Sequence, residues 1–440
     1  MPPTRDRNRR RRVGLATLLC GLVGCANALR AQQDLPSYGP SPRIPDAETQ
    51  LLPTLKWSVA EGWAADATPT PAPGLRVRAF ARDLSHPRWL LVLPNGDVLV
   101  AEAASEPSAS WAPRALAQTL IQRRAGSIVE SANRITLLRD VDRDGIADER
   151  SILIEGLRQP FGMALVGEHL YVANTDSVLR FPFRPGQTRI TDPGTKLLDL
   201  PVGHHWTRNL LPGPDGSKIF ITVGSGSNIA ENGIEKEDGR ATILELDLTT
   251  SRARVFASGL RNANGMAIEP TTGELWTVVN ERDEIGDDTP PDYLTSVKEG
   301  GFYGWPYSYW GKTVDTRVTP QRPDLVAVSI TPDYALGGHS AALGLAHSAG
   351  TTLPPPFRDG MFVGLHGSWN RSEYSGYRVV FVPFRDGRPV GQPIDVLTGF
   401  LASDGSGTAY GRPVGVAIDR GGALLVADDT GNTLWRVSRD

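Results

Sequence analysis

Two adjacent histidines, His204 and His205, stand at a strand start just before Leu211-Pro212-Gly213-Pro214-Asp215-Gly216. Imidazole titrates nearest neutrality, so a histidine here can serve as a general base, with a structural or surface histidine as the alternative. Gly259-Leu260-Arg261-Asn262 sets a guanidinium beside an amide at a loop-to-strand junction. Such planar donors suit a carboxylate or carbonyl, and they also cap turns. The acidic run Asn280-Glu281-Arg282-Asp283-Glu284 leads into the Gly/aromatic stretch Gly301-Phe302-Tyr303-Gly304-Trp305-Pro306. Oxygen ligands for a hard cation beside aromatic faces for a pyranose ring would make a metal-plus-sugar site. An ordinary acidic loop beside packed aromatics reads equally well. His366-Gly367-Ser368-Trp369-Asn370-Arg371 and Tyr410-Gly411-Arg412-Pro413 lie at two further strand ends. Asp140-Val141-Asp142-Arg143-Asp144-Gly145-Ile146-Ala147-Asp148 matches the start of a calcium loop. Carboxylates at alternate positions converge on one cation and Gly permits the sharp turn. Ser151 stands where the closing bidentate Glu belongs. A structural calcium held by Asp140, Asp142, Asp144 and Asp148 is expected, against a solvated hairpin.

These groups need a scaffold that brings distant strand ends together. Six segments share one grammar, an apolar strand, a Pro/Asn/Asp/Gly turn and a second apolar strand: 86–101, 159–174, 205–224, 264–280, 339–367 and 412–428. Their spacing, roughly 45 to 80 residues, is that of repeat arrays such as propellers, whose blades have four strands. Asn95-Gly96 supplies a tight hairpin turn. The strands after the turns, including 98–100, 170–172, 219–223, 275–279 and 424–426, are short and rich in β-branched residues. An all-β, six-bladed β-propeller is expected over 75–440, with 433–437 pairing with 75–81 to close the ring and remove open edges. Long amphipathic helical patterns are absent except at 115–123. A β-sandwich pair is the rival and leaves the repeated phrase unexplained.

Forty-seven Gly and 35 Pro are spread along 440 residues, consistent with many turns, and 40% hydrophobic content supports a large core. A net charge of −3 excludes general nucleic-acid binding, which wants a basic stripe. Both cysteines, Cys20 and Cys25, fall in the N-terminal 31 residues. There a basic stretch, Arg9 to Arg12, precedes a short apolar one, the pattern of an export leader. Leu22-Val23-Gly24-Cys25 resembles a lipoprotein box, and Ala26-Asn27-Ala28 is an alternative cleavage site. Periplasmic or outer-membrane location, with possible membrane attachment through lipidated Cys25, is therefore expected. Residues 32–74 read as a Pro/Ala-rich tether, with 51–63 packing on the domain edge.

Taken in order, the His-x7-Gly-Pro-Asp-Gly phrase, Gly-Leu-Arg-Asn, Gly-Phe-Tyr-Gly-Trp-Pro, His-Gly-Ser-Trp-Asn-Arg and the terminal Gly-Arg-Pro-Val-Gly-Val-Ala resemble the soluble pyrroloquinoline-quinone (PQQ) dependent sugar dehydrogenases, the sorbosone dehydrogenase branch above all. The resemblance runs from about Leu75 to the C-terminus. It implies a propeller carrying PQQ and Ca2+ at the top of its channel. It implies that His205 takes the proton of the sugar's anomeric hydroxyl while hydride passes to the quinone. Arg261 and Asn262 match a pair that binds the quinone carbonyl side, with Arg261 stabilising developing charge. Glu281, Arg282 and Asp283 match the loop holding the quinone calcium, in the family largely through backbone carbonyls. Arg412 matches an arginine pairing with quinone carboxylates. Electrons would pass to a separate acceptor, a cytochrome or quinone pool.

The chain also departs from that pattern. Ser225 stands where glucose-oxidising members carry an acid that orients the histidine, and Tyr410 where they carry a second arginine. His366 or Arg371 would replace their quinone-binding lysine. A metal-dependent propeller lactonase and a non-catalytic envelope-binding propeller are the competing functional classes.

Overall fold

A computed structural model describes residues 37–48, 54–107 and 113–440. The expected leader, with Cys20 and Cys25, lies outside the described residues. Six antiparallel sheets follow one another along the chain and form the six blades. Blade 1 comprises Pro87–Val92, Val98–Glu102, Arg134–Arg139 and Glu149–Ile154, and blades 2 and 3 repeat that four-strand meander over 163–199 and 210–258. Blade 4 spans 262–338 and blade 5 spans 342–398. Blade 6 is built from both ends of the described chain. Pro413–Ile418, Leu424–Asp428 and Thr433–Arg439 are completed by Leu75–Ala81, with Trp435 opposite Ala79 and Val437 opposite Val77. The expected propeller and its closure are thus borne out.

Side chains alternate across a strand, so each blade offers one apolar face to each neighbour. In blade 1, Leu99 and Leu137 pack with Met163 and Val172 of blade 2. The alternate residues Val98, Val100 and Leu138 pack with Leu425 and Leu434 of blade 6. Four further clusters occupy the remaining blade interfaces, so the core lies between blades, as the apolar character of both strand faces requires. Gly344 and Gly364 of blade 5 admit the backbone of blade 6, because a Cβ on either would lie 2.1 or 2.3 Å from the Val414 carbonyl oxygen.

Residues 54–74 run along the propeller. Thr70–Pro71 pairs with the outer strand of blade 5, and Val59–Ala60 pairs with Thr408–Ala409. Trp63 packs against Phe400, Tyr410 and Trp435 and donates to Asp428 at 2.6 Å. A helix, Pro113–Arg124, interrupts blade 1 where the sequence shows its helical pattern. Among the described residues no helix is long and apolar enough to cross a membrane.

Candidate active site

In each blade the innermost strand starts beside the end of the second strand, because the two are antiparallel. Pro413 lies opposite Asp428, Asn262 opposite Asn280 and Pro87 opposite Glu102. Residues just before the first strand and just after the second therefore converge from different blades on one mouth. A cavity of about 510 Å³ opens there, within the roughly 300–1,000 Å³ range of small-molecule sites. His205, Arg261, Asn262, Glu281, Asp283, His366 and Arg412 all line it. So do Arg88, His204 and His339.

His205 is fixed on one side. Its Nδ1 lies 2.8 Å from the Ser225 carbonyl oxygen and 3.0 Å from Ser225 Oγ. Ser225 Oγ itself donates to the Ser227 carbonyl, so both partners of Nδ1 are acceptors. Neutral His205 therefore carries its proton on Nδ1 and keeps the Nε2 lone pair. Nε2 makes no hydrogen bond among the described residues. The serine in place of an acid thus still orients the ring, through its backbone. Gly224 makes room for this, since a Cβ there would meet Asn262 Oδ1 at 2.4 Å and His205 Cβ at 2.7 Å. Burial, reinforced by the charge of Arg261 and by His204, holds the His205 pKa well below the usual imidazole value. A base at His205 must be unprotonated to act, so an activity that depends on it should survive acidification and fall only as pH drops through that lowered pKa, below 6.5. Ser225→Asp should move this acid limb upward by roughly 1–3 pH units, because a carboxylate beside Nδ1 stabilises imidazolium. A kcat/KM profile unmoved by that substitution would remove His205 from the titration.

Arg261 is held on three sides. It donates to the Glu281 carbonyl at 2.6 Å, to Asn228 Oδ1 at 2.9 Å and to Asp283 Oδ2 at 3.1 Å. Asp283 also accepts from His339 Nδ1 at 3.2 Å. Although burial works the other way, the His339 hydrogen bond and the charge of Arg261 keep the Asp283 carboxyl below its usual range. Asn262 Oδ1 and Glu281 Oε1 are buried without a protein partner.

On the opposite wall, Arg412 donates to the carbonyls of His366 and Gly367 at 3.0 and 2.9 Å. His366 Nε2 lies 2.8 Å from Asp429 Oδ2, which also receives Arg88 Nη1. The Arg88 guanidinium lies over the rings of Trp206 and Phe161 at 5.4 and 5.8 Å. Burial pushes His86 down to about 4 and, with Arg412 beside it, His366 to about 3. Both imidazoles are neutral near pH 7, and Arg88 is then the cation facing Asp429.

Several expected positions fall elsewhere. Arg371 is outside the lining, its Nη1 taken by the Asp287 carbonyl at 2.6 Å and Asp288 Oδ1 at 2.7 Å. Tyr410 stacks against Trp63. The Arg282 side chain is fully buried, bonded to Glu281, Asp315 and the carbonyls of Pro306 and Ser308, so any part it takes in holding a cation falls to its backbone carbonyl, as the resemblance implied. Tyr303 and Trp305 are packed in the interior, correcting the idea that this stretch offers faces to a sugar. Instead Trp305 Nε1 bonds the Asn228 carbonyl at 2.9 Å and so supports the residue that holds Arg261. In the blade 1 loop, ligand atoms of Asp140, Asp142 and Asp148 lie within 4.8 Å of one another. Asp144 stands apart from them, accepting from the Ile146 N–H.

Arg88, His339 and Asp429 were missed in the sequence. One signal was available: His86, Gln159 and Arg412 each precede the first proline of the repeated phrase, and each is buried. Aligning the repeats on that proline marks the start of blade 1 as part of the cavity wall.

A six-bladed propeller with an arginine- and histidine-bearing cavity at one end of its axis defines the class. Residues 69–306 and 324–440 match the TrAA12-like family, and the chain belongs to it. It is 22% identical over 305 residues to a pyrroloquinoline quinone-dependent sugar dehydrogenase of Hypocrea jecorina, covering 62% of this chain and 64% of that one. Its fold matches the holo form of the pyranose dehydrogenase PQQ domain of Coprinopsis cinerea, with TM-score 0.69, 20% identity and coverage of 87% and 100% of the two chains. A calcium structure of the Trichoderma reesei family AA12 enzyme matches with TM-score 0.69, 18% identity and coverage of 89% and 100%. The chain spans between 42% and 64% of the length of the curated relatives it matches. The resemblance to soluble PQQ-dependent sugar dehydrogenases is borne out by these relatives.

Proposed function

We propose that this chain is a PQQ- and calcium-dependent dehydrogenase of an aldose or keto-aldehyde sugar such as sorbosone, exported and delivering electrons to a separate acceptor. The observation that carries the reading is the meeting of His205, Arg261, Asn262 and Arg412, from blades 3, 4 and 6, around one cavity. The residues suit the cofactor. Three arginines, Arg88, Arg261 and Arg412, face a space that would take a planar polycarboxylate, and Asn262 Oδ1 and Glu281 Oε1 are buried polar atoms awaiting a partner. Glu281 and Asp283 are the residues that would hold the calcium.

When bound, PQQ with its calcium supplies the electron sink for a two-electron oxidation. The chain's own part is to bind, orient and take a proton. His205 Nε2 receives the proton of the hydroxyl on the carbon being oxidised, the anomeric hydroxyl of an aldose or a hydroxyl of the hydrated aldehyde. The Ser225 carbonyl keeps the ring in the tautomer that can do so, and Arg261 places fixed positive charge where negative charge grows.

Reconstitution tests the reading. The purified chain, titrated with PQQ and calcium, should bind the quinone and reduce a dye with one or more aldoses or keto-aldehydes, and chelation should reverse both. Absence of quinone binding and of sugar-dependent dye reduction would overturn it.

A further inference from the structure

The segment before the first repeat takes part in the site. Residues 54–63 lie outside the region matched by the family, yet Leu55, Trp57 and Ser58 contribute to the cavity wall. The segment crosses the loop after the second strand of blade 5. Lys56 N donates to the Trp369 carbonyl at 3.0 Å, Asn370 Nδ2 to the Thr54 carbonyl at 2.7 Å and Tyr374 Oη to the Trp57 carbonyl at 3.1 Å. Trp63 fastens its far end to Asp428. Ordered this way, the strap leaves apolar surface exposed along the cavity wall. Leu55 is 40% exposed and Trp369 37%, while Trp57 is half-buried beside them.

We infer that the strap and the loop it crosses form an outer subsite for a second sugar ring, with Trp57 and Trp369 as its aromatic faces, so that the preferred substrate is a glycosidically extended sugar. This rests on the dehydrogenase reading. If the reducing-end carbon reacts at His205 on the cavity floor, any further ring must leave through the mouth. A pyranose ring offers an apolar C–H face to an aromatic ring while its hydroxyls remain in water at the rim. The subsite is continuous with the reacting site, so the extra ring raises binding without altering the chemistry at His205.

The test compares maltose and cellobiose with glucose on the full chain. Calorimetric titration of the protein without quinone should show the disaccharides binding more tightly than glucose. Trp57→Ala and Trp369→Ala should each reduce that preference about tenfold, and Trp369→Phe should restore part of it. In the PQQ- and calcium-loaded enzyme the same loss should fall on the disaccharide KM rather than on kcat. Equal weakening of monosaccharide and disaccharide, or no disaccharide preference in the unsubstituted chain, overturns the subsite. So does an effect confined to reoxidation by a protein acceptor, which would make the aromatic rim a docking face. If the chain oxidises sugars but shows no such discrimination, the subsite fails and the dehydrogenase stands. If it binds disaccharides as described yet takes up no quinone, the dehydrogenase reading fails.

Discussion

His205→Ala should lower kcat for sugar oxidation by about 10²–10⁴-fold, the usual worth of a positioned base, while quinone uptake stays within a few-fold of the unsubstituted protein. The separation follows from the geometry. The bonds of His205 run to Ser225 alone through its ring, and Arg208 grips its backbone carbonyl at 2.6 Å. The residues suited to a polycarboxylate, Arg88, Arg261 and Arg412, are each anchored without help from the imidazole. Stopped-flow reduction by saturating sugar, beside a spectroscopic titration with PQQ, makes both measurements. If quinone uptake collapsed together with turnover, His205 would be a binding residue and the base would have to be sought elsewhere. His204 is the nearest candidate, its ring 4.7 Å from that of His205.

Asp429→Asn should destabilise the protein by about 3–5 kcal/mol, because it strands a buried guanidinium without its counter-charge. Asp429 is almost wholly enclosed, with Arg88, His86 and His366 around it. Burial opposes its ionisation, yet the surrounding groups hold its pKa well below the ordinary carboxylate value. With both histidines neutral near pH 7, Arg88 is its ionic partner. Arg88→Met should be costly alone, and the double variant should cost less than the sum of the two, giving a measurable coupling energy. Urea unfolding of the four proteins decides the matter. Additive effects would mean that Arg88 and Asp429 are each satisfied independently.

Much of the fold could be read in the chain because a propeller is a local object. Each hairpin announces itself through a turn such as Asn95-Gly96 and two short apolar runs. Repetition of that phrase sets the number of blades, and the unmatched strands at 75–81 and 433–437 imply the seam. The site was legible where a short phrase carries its own chemistry, as at His205 and at Arg261 with Asn262. It was not legible where partners meet only through ring closure. Arg88 and Asp429 are 341 residues apart, and nothing near either one states that the other neutralises it. Direction was hidden too. Arg282 and Asp283 are neighbours in one loop, yet one side chain enters the interior and the other the cavity, a choice made by Asp315 and His339 from remote segments. Arg371, a candidate to replace the quinone-binding lysine, is likewise turned aside by Asp287 and Asp288.

The seam has a consequence in time. A ribosome delivers His86 and Arg88 early and Asp429 late, and the strand Leu75–Ala81 waits unpaired until Thr433–Arg439 has emerged. Five blades can form in order as they are made, but the wall bearing Arg412 is set only when the last strand docks. On the dehydrogenase reading, cofactor capture must therefore follow completion of the chain. A nascent or truncated chain lacking 413–439 would keep the lining residues but leave Leu75–Ala81 unpaired and the ring open beside Arg412, a state more exposed to proteases than the closed ring.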